Sequence, residues 1–367
     1  MCTKFKNVLV APDKFKGSLT STQFCEIVKD CFYKFDPSIN VDCVPLADGG
    51  EGSLECFLNA TNAKQITGTF ANANFEKVEA SYAMLNDVAF VELAQTAGLV
   101  NTKIKDHKIT TTLGVGEQIL DAINNGAKTI YLAIGGSATN DAGCGMAVGL
   151  GYKFFNEQKN EFVPTGKTLC QIETIVPPPK KIDAKFVVLC DVKNVLFGKN
   201  GAAYVYAKQK GANNLDIELL DENLKSFNTL CKKYGFNFEH VEGSGAAGGM
   251  GAGAMMFLNA TLKSGVETFF ELTNIPEKID NADLIISGEG SIDKQSEFGK
   301  VVYSLLNKSK GKKFVAFCGV CKVENPKFEI IEINKPNQSL LGAIKNTKQN
   351  LIDAVNQFLN NKKTTLS

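Results

Sequence analysis

Arginine is absent from this chain. All 40 of its basic residues are lysine, set against 39 acidic residues and only two histidines over 367 positions, and there is no tryptophan. Without a guanidinium group there is no arginine finger, no bidentate clamp on phosphate or carboxylate and no arginine–base stacking. Any anion bound here is therefore held by backbone amides, lysine or metal. Histidine chemistry is equally thin, because His107 and His240 lie away from the glycine-rich loops and no nucleophile elbow is present. No run of about 18 apolar residues occurs, and the apolar stretch after Lys6 ends at Asp13, too short for a signal segment. The chain reads as soluble and cytoplasmic. A net charge of +1 without a long lysine run leaves no electrostatic footprint for nucleic acid or an anionic membrane, so a small neutral or anionic molecule is the expected partner. The 11 cysteines lack framework spacing, and the Cys-x-x-Cys of Cys318 and Cys321 has no second pair, which argues for reduced thiols and against zinc.

What the chain does contain is an alternation of short apolar runs with helical patterns. Residues 6–11, 41–46, 88–93, 129–134, 186–190, 284–287 and 314–318 read as buried strands. After the first of these, Phe24, Ile27, Val28, Cys31, Phe32 and Phe35 fall at helical spacing, with Thr20 and Gln23 as a capping box. Such β–turn–α grammar predicts an α/β protein with parallel sheets, whose ligands gather at the carboxyl ends of the strands. Residues 64–85 and 154–162 have hairpin character, and the final helix carries Leu341, Ile344, Leu351, Val355 and Phe358 on one face. A length of 367 exceeds what one core usually supports, so two domains are expected, with the middle of the chain inserted between N- and C-terminal βα units.

Glycine clusters instead of spreading. Four groups stand out: Asp48-Gly49-Gly50-Glu51-Gly52, Gly135-Gly136-Ser137-Ala138-Thr139-Asn140-Asp141, Gly243-Ser244-Gly245-Ala246-Ala247-Gly248-Gly249, and Ser287-Gly288-Glu289-Gly290-Ser291-Ile292-Asp293. Each neighbours a strand pattern and precedes a helix pattern, the setting in which backbone N–H groups cradle phosphate; tight turns and close packing are the competing explanation. Asp48, Glu51, Asp141, Glu289 and Asp293 lie in these loops and Asp191 directly follows a strand. Carboxylates beside phosphate require an intervening cation, and Mg²⁺ takes one or two carboxylates plus phosphate oxygens; helix capping is the commoner use of Asp in such turns. Gly243, Gly245 and Gly248 spell GxGxxG without the acidic residue expected about 20 positions later, and Thr165-Gly166-Lys167-Thr168 mimics a P-loop end with Glu161 where glycine is required.

In chain order, Ala11-Pro12-Asp13-Lys14-Phe15-Lys16-Gly17-Ser18, Ala47-Asp48-Gly49-Gly50-Glu51-Gly52, Thr110-Thr111-Thr112, Gly135 to Asp141, Cys190-Asp191-Val192, Gln209-Lys210-Gly211-Ala212, Gly245 to Gly249 and Gly288-Glu289-Gly290 resemble the type 1 glycerate kinase family. The resemblance implies ATP-dependent phosphorylation of D-glycerate, usually at the 2-hydroxyl, giving 2-phosphoglycerate and ADP. It also implies two α/β domains: a flavodoxin-like parallel-sheet domain at 1–65 plus 275–367, and an inserted domain at 66–274 with a restriction-endonuclease-like core. On this basis Gly135, Gly136, Ser137, Asn140, Gly245, Gly248, Gly249, Gly288, Glu289 and Lys294 are expected to hold ATP, and Asp191, Asp141, Glu289 and Asp293 to hold Mg²⁺. Asp191 and Asp48 are the two candidates for the group that orients or deprotonates the hydroxyl, with Lys14 and Lys16 on the substrate carboxylate or the γ-phosphoryl group. One departure from the family is Ser291, where arginine often stands, with Lys294 three residues on. Three alternatives stay open: a kinase phosphorylating the 3-position, a dinucleotide-dependent oxidoreductase using the Gly243 to Gly248 loop, and a non-catalytic nucleotide-binding protein.

Overall fold

The computed structural model describes residues 5–103, 106–293, 301–324 and 326–364. The chain divides into two compact units, one of Met1–Asp48, Glu55–Asn62 and Val266–Ser367, the other of Gly49–Leu54 and Ala63–Gly265.

The first unit is built on a five-stranded, wholly parallel sheet. In chain order its strands are Asn7–Val10, Asn40–Cys43, Leu284–Ile292, Lys313–Cys321 and Glu329–Glu332, and in space they run second, first, third, fourth, fifth. The direction of winding therefore switches between the first and third strands, which is where open α/β sheets take ligands at their carboxyl ends. Val8, Leu9 and Val10 are all buried, as a strand covered on both faces requires. Helix Ser21–Phe35 starts at the Thr20–Gln23 capping box and buries Phe24, Val28 and Phe32 in the core with Phe317; each is a side chain whose burial contributes about 1.5–3 kcal/mol. Phe35, on the same apolar spacing, is only partly buried.

Two expectations need correction here. The strand beginning at Leu284 does not turn at Ser287 but runs through Gly288 and Glu289 to Ile292, because its partner is equally long and pairs as far as Ile292 with Cys321. In the last helix, Leu340–Thr364, the buried face carries Ala343, Leu351, Ala354, Val355, Phe358 and Leu359, while Leu341 is 81% exposed. The first turn of that helix thus projects beyond the sheet it covers further along. Cys318 and Cys321 lie on one strand three positions apart and so face opposite ways, one buried and one partly exposed.

The second unit holds a six-stranded mixed sheet in the order Thr261–Lys263, Lys185–Leu189, Thr129–Ala133, Val88–Glu92, Lys77–Leu85 and Lys64–Ala71. The first four are parallel and the last two form the antiparallel hairpin read from residues 64–85. Strand Lys153–Phe155 pairs antiparallel with Glu161–Phe162, as the second hairpin pattern indicated, and with Thr174–Val176. Helix Leu113–Asn124 packs Val115 and Ile119 into the core of the large sheet, and helix Asn214–Lys233, opened by an Asn213–Asp216 capping box, packs Leu220, Leu224 and Phe227 into a second cluster. Among the described residues no helix is long and apolar enough to cross a membrane.

Candidate active site

In the first unit the chemistry gathers at the winding switch. Beyond Val10 the chain stays extended: the Ala11 N–H donates to the Ile286 carbonyl (2.8 Å) and the Asp13 N–H to the Gly288 carbonyl (2.8 Å), while the Leu46 N–H donates to the Pro12 carbonyl (3.0 Å). This ladder carries Asp13 to the carboxyl end of the sheet, flanked by the neighbouring strand that bears Glu289 and by the segment leading to Asp48. Burial first, then the charges of Asp48 and Glu289, push the Asp13 carboxyl up to about 7, against the opposing pull of the Lys14 N–H and ammonium. The Lys14 N–H donates to Asp13 Oδ1 at 2.7 Å. Phe15 anchors the next turn by stacking on Phe24 at 5.5 Å and bridging to Leu19, leaving Lys16 exposed and Lys14 partly so. Glu289 is buried, Asp48 exposed and Asp293 intermediate; Lys294 lies outside the described residues. Asp13 was not among the sequence-derived catalysts. Its signal was its place directly after the first strand.

In the second unit the glycine-rich loops have a different use. Asp141 is fully buried and accepts from the Thr112 N–H (2.7 Å), Thr112 Oγ1 (2.8 Å), Gly143 N–H (3.2 Å) and Gly145 N–H (3.2 Å). Burial raises its carboxyl, and these four bonds oppose the rise. It is a strap between the Thr112 turn and the start of helix Cys144–Gly149. Asp191 is exposed and takes the Gly265 N–H on both oxygens at 3.1 Å. Glu92, which lies inside the 88–93 run read as a buried strand and ends that strand in the structure, is 1% exposed and accepts from the Gly52 N–H (3.1 Å) and Leu54 N–H (2.7 Å).

The glycines are largely spent on contact between backbones. A Cβ on Gly248, which has φ +72°, would lie 2.0 Å from the Thr139 carbonyl oxygen, so this loop is locked against residues 139–142. Gly245 and Gly249 are likewise closed in by Val195 and Ala142, Gly135 by Gly50, and Gly288 by Phe317 and the Phe24 ring. The N–H groups of Gly135, Ala138 and Thr139 donate within the protein, the last to Ser137 Oγ. A Cβ on Gly136, which has φ +76°, would make only ordinary contacts, the nearest with the Glu51 Cβ at 3.5 Å. Asn140 is fully buried, with neither amide atom hydrogen-bonded.

The sequence profile of the glycerate kinase family matches residues 8–362. The chain belongs to that family. It is 40% identical to the glycerate 2-kinase of Escherichia coli over 311 residues, covering 83% of this chain and 82% of that one. The glycerate kinase of Bacillus cereus is 39% identical over the same length and the same shares. A crystal structure described as a glycerate kinase 2 from Salmonella typhimurium superposes with a TM-score of 0.85 at 31% identity, covering 98% of this chain and 99% of that one. This glycerate kinase family member is therefore an enzyme, and the dinucleotide reading is not favoured. The Gly243 to Gly248 loop follows helix Asn214–Lys233 and a turn, not a strand, so the setting that lets GxGxxG receive a pyrophosphate is missing.

Among the described residues no group of three or more His, Cys, Asp or Glu is arranged to hold a metal on its own.

Proposed function

We propose that this protein transfers the γ-phosphoryl group of Mg·ATP to D-glycerate at its 2-hydroxyl, giving 2-phosphoglycerate and ADP. What supports this reading is membership of the glycerate kinase family together with the grouping of Asp13, Asp48 and Glu289 at the carboxyl edge of a parallel sheet, where burial and the two neighbouring charges raise the Asp13 carboxyl. A carboxylate raised in this way before the cation binds is suited to take the proton from the attacking hydroxyl. Asp13 therefore joins Asp48 and Asp191 as a candidate base and is the one we favour. Glu289 and Asp48 would hold the cation, which when bound neutralises charge on the phosphate oxygens; Asp293 is the next candidate. Lys14 and Lys16 would supply positive charge for the glycerate carboxylate or the transferring group.

In the second unit, Gly136, Ser137 and Asn140 remain our candidates for nucleotide contact, whereas Asp141, Gly245, Gly248 and Gly249 are assigned to holding the loops together. We read the second–first–third–fourth–fifth order of the parallel sheet as flavodoxin-like. The test is ADP release from Mg·ATP with D-glycerate, followed by NMR identification of the phosphorylated carbon. Absence of ADP release at saturating substrates sinks the proposal, and phosphate on the 3-hydroxyl corrects its regiochemistry.

A further inference from the structure

The turn Asp48-Gly49-Gly50-Glu51-Gly52 has the sequence of an anion cradle, yet an anion from within the protein already sits against its amides. Glu92, at the end of strand Val88–Glu92 and 1% exposed, receives the Gly52 N–H on Oε1 at 3.1 Å and the Leu54 N–H on Oε2 at 2.7 Å. Two backbone donors thus converge on one carboxylate, one for each oxygen. We infer that Glu92 is a positioning residue for the reaction, a built-in anion that fixes the shape of the Gly49–Leu54 segment.

The segment needs such an anchor. Gly49 and Gly52 both have left-handed φ, at +85° and +88°, and glycine at those positions brings the largest loss of backbone freedom on ordering. Other ties of the segment include the Gly135 N–H donating to the Gly49 carbonyl and the Ser53 N–H and Oγ donating to the Gly50 carbonyl. A hydrogen bond to an ionised acceptor is roughly twice as strong as a neutral one, and Glu92 is fixed at its root by strand pairing, opposite Ala133. The role matters to the reaction because the segment directly follows Asp48 and contains Glu51. In this respect the inference rests on the proposed phosphoryl transfer. It also explains why the turn is not offered to phosphate: a second anion there would face a buried carboxylate.

Glu92→Gln tests the idea, since it preserves size but points an amide NH₂ at one of the two N–H donors. The variant is expected to fold, to lose about 10- to 100-fold in kcat, as displacement of a positioned group by about 1 Å does, with the KM for D-glycerate little changed. Faster hydrogen exchange is expected at the amides of residues 49–54. A kcat within about twofold of wild type, or a loss no greater than the unfolded fraction measured by circular dichroism, overturns the inference. If the Gln variant does not fold, Glu92→Asp, which keeps the charge but withdraws it by one methylene, is read by the same kcat and exchange criteria. Should the wild-type protein release no ADP with D-glycerate, the functional reading fails by itself, and exchange at residues 49–54 alone decides whether Glu92 holds the segment.

Discussion

Carboxylates at the ends of parallel strands or in the loops that follow them occur in both units, and their surroundings are opposite in kind. At the winding switch of the first unit, Asp13 lies beside Asp48 and Glu289, so like charges and burial act together and its carboxyl rises to about 7. In the second unit Asp141 is more deeply buried, yet four donors converge on it and oppose the rise. Glu92 has two backbone donors of its own. One arrangement stores electrostatic repulsion where a proton can be exchanged, and the other spends charge on fixing loops. Residue type and a place at or after a parallel strand are shared; the donor count separates the carboxylate we propose as base from those that hold loops.

The largest expected effect is on turnover. Asp13→Asn should lower kcat by about 10²–10⁴-fold, the usual contribution of a general base, measured as ADP release. The same variant should be more stable than wild type at pH 8. Because the folded pKa of about 7 lies above the ordinary aspartate value of 3.8, the folded state binds that proton more tightly. Stability from it is full below about pH 4 and is lost as pH climbs through about 7. Thermal melts at pH 4 and pH 8 should show the gain only at the higher pH; unchanged turnover, or no gain, breaks the contrast between the two regions.

Asp141→Ala should act in the other direction, costing about 3 kcal/mol or more in urea unfolding, because several buried donors are orphaned at about 1–3 kcal/mol each. Wild-type stability in that variant would remove Asp141 from the strap role. A third effect is on pH dependence. Below about pH 7, kcat/KM should fall close to tenfold per unit as Asp13 takes up its proton, and that limb should be absent from the residual activity of Asp13→Asn. A shared limb would remove Asp13 from the role of base. Smallest of all, Leu341→Lys should shift stability by no more than about 0.5 kcal/mol, as exposed sites do, whereas Leu351→Ala on the buried face of the same helix should cost about 2–5 kcal/mol.

Much of the fold was legible because its signals are local. Apolar runs at 6–11 and 129–134 marked strands, and Thr20 with Gln23 marked a helix start, since a capping box is closed by residues three apart. The candidate site was legible only as a set of loops. Asp13, Lys14, Asp48 and Glu289 were each visible, but their grouping depends on pairing between strands more than 270 residues apart, such as Val8 with Leu284. Glu92 was hidden because a buried glutamate at the end of an apolar strand carries no distinguishing spacing.

By itself the sequence determined the alternation of strands and helices, the exclusion of every guanidinium-based contact, and the glycerate kinase family. Periodicity, composition and ordered motifs are properties of the chain. Only the tertiary structure decided what the glycines and carboxylates are for. A glycine that cradles an anion and one that admits a neighbouring carbonyl at 2.0 Å, as Gly248 does, read the same in one dimension. They differ only in what is packed against them. A carboxylate likewise becomes a base or a strap according to whether charges or N–H donors face it, and those neighbours are brought by folding.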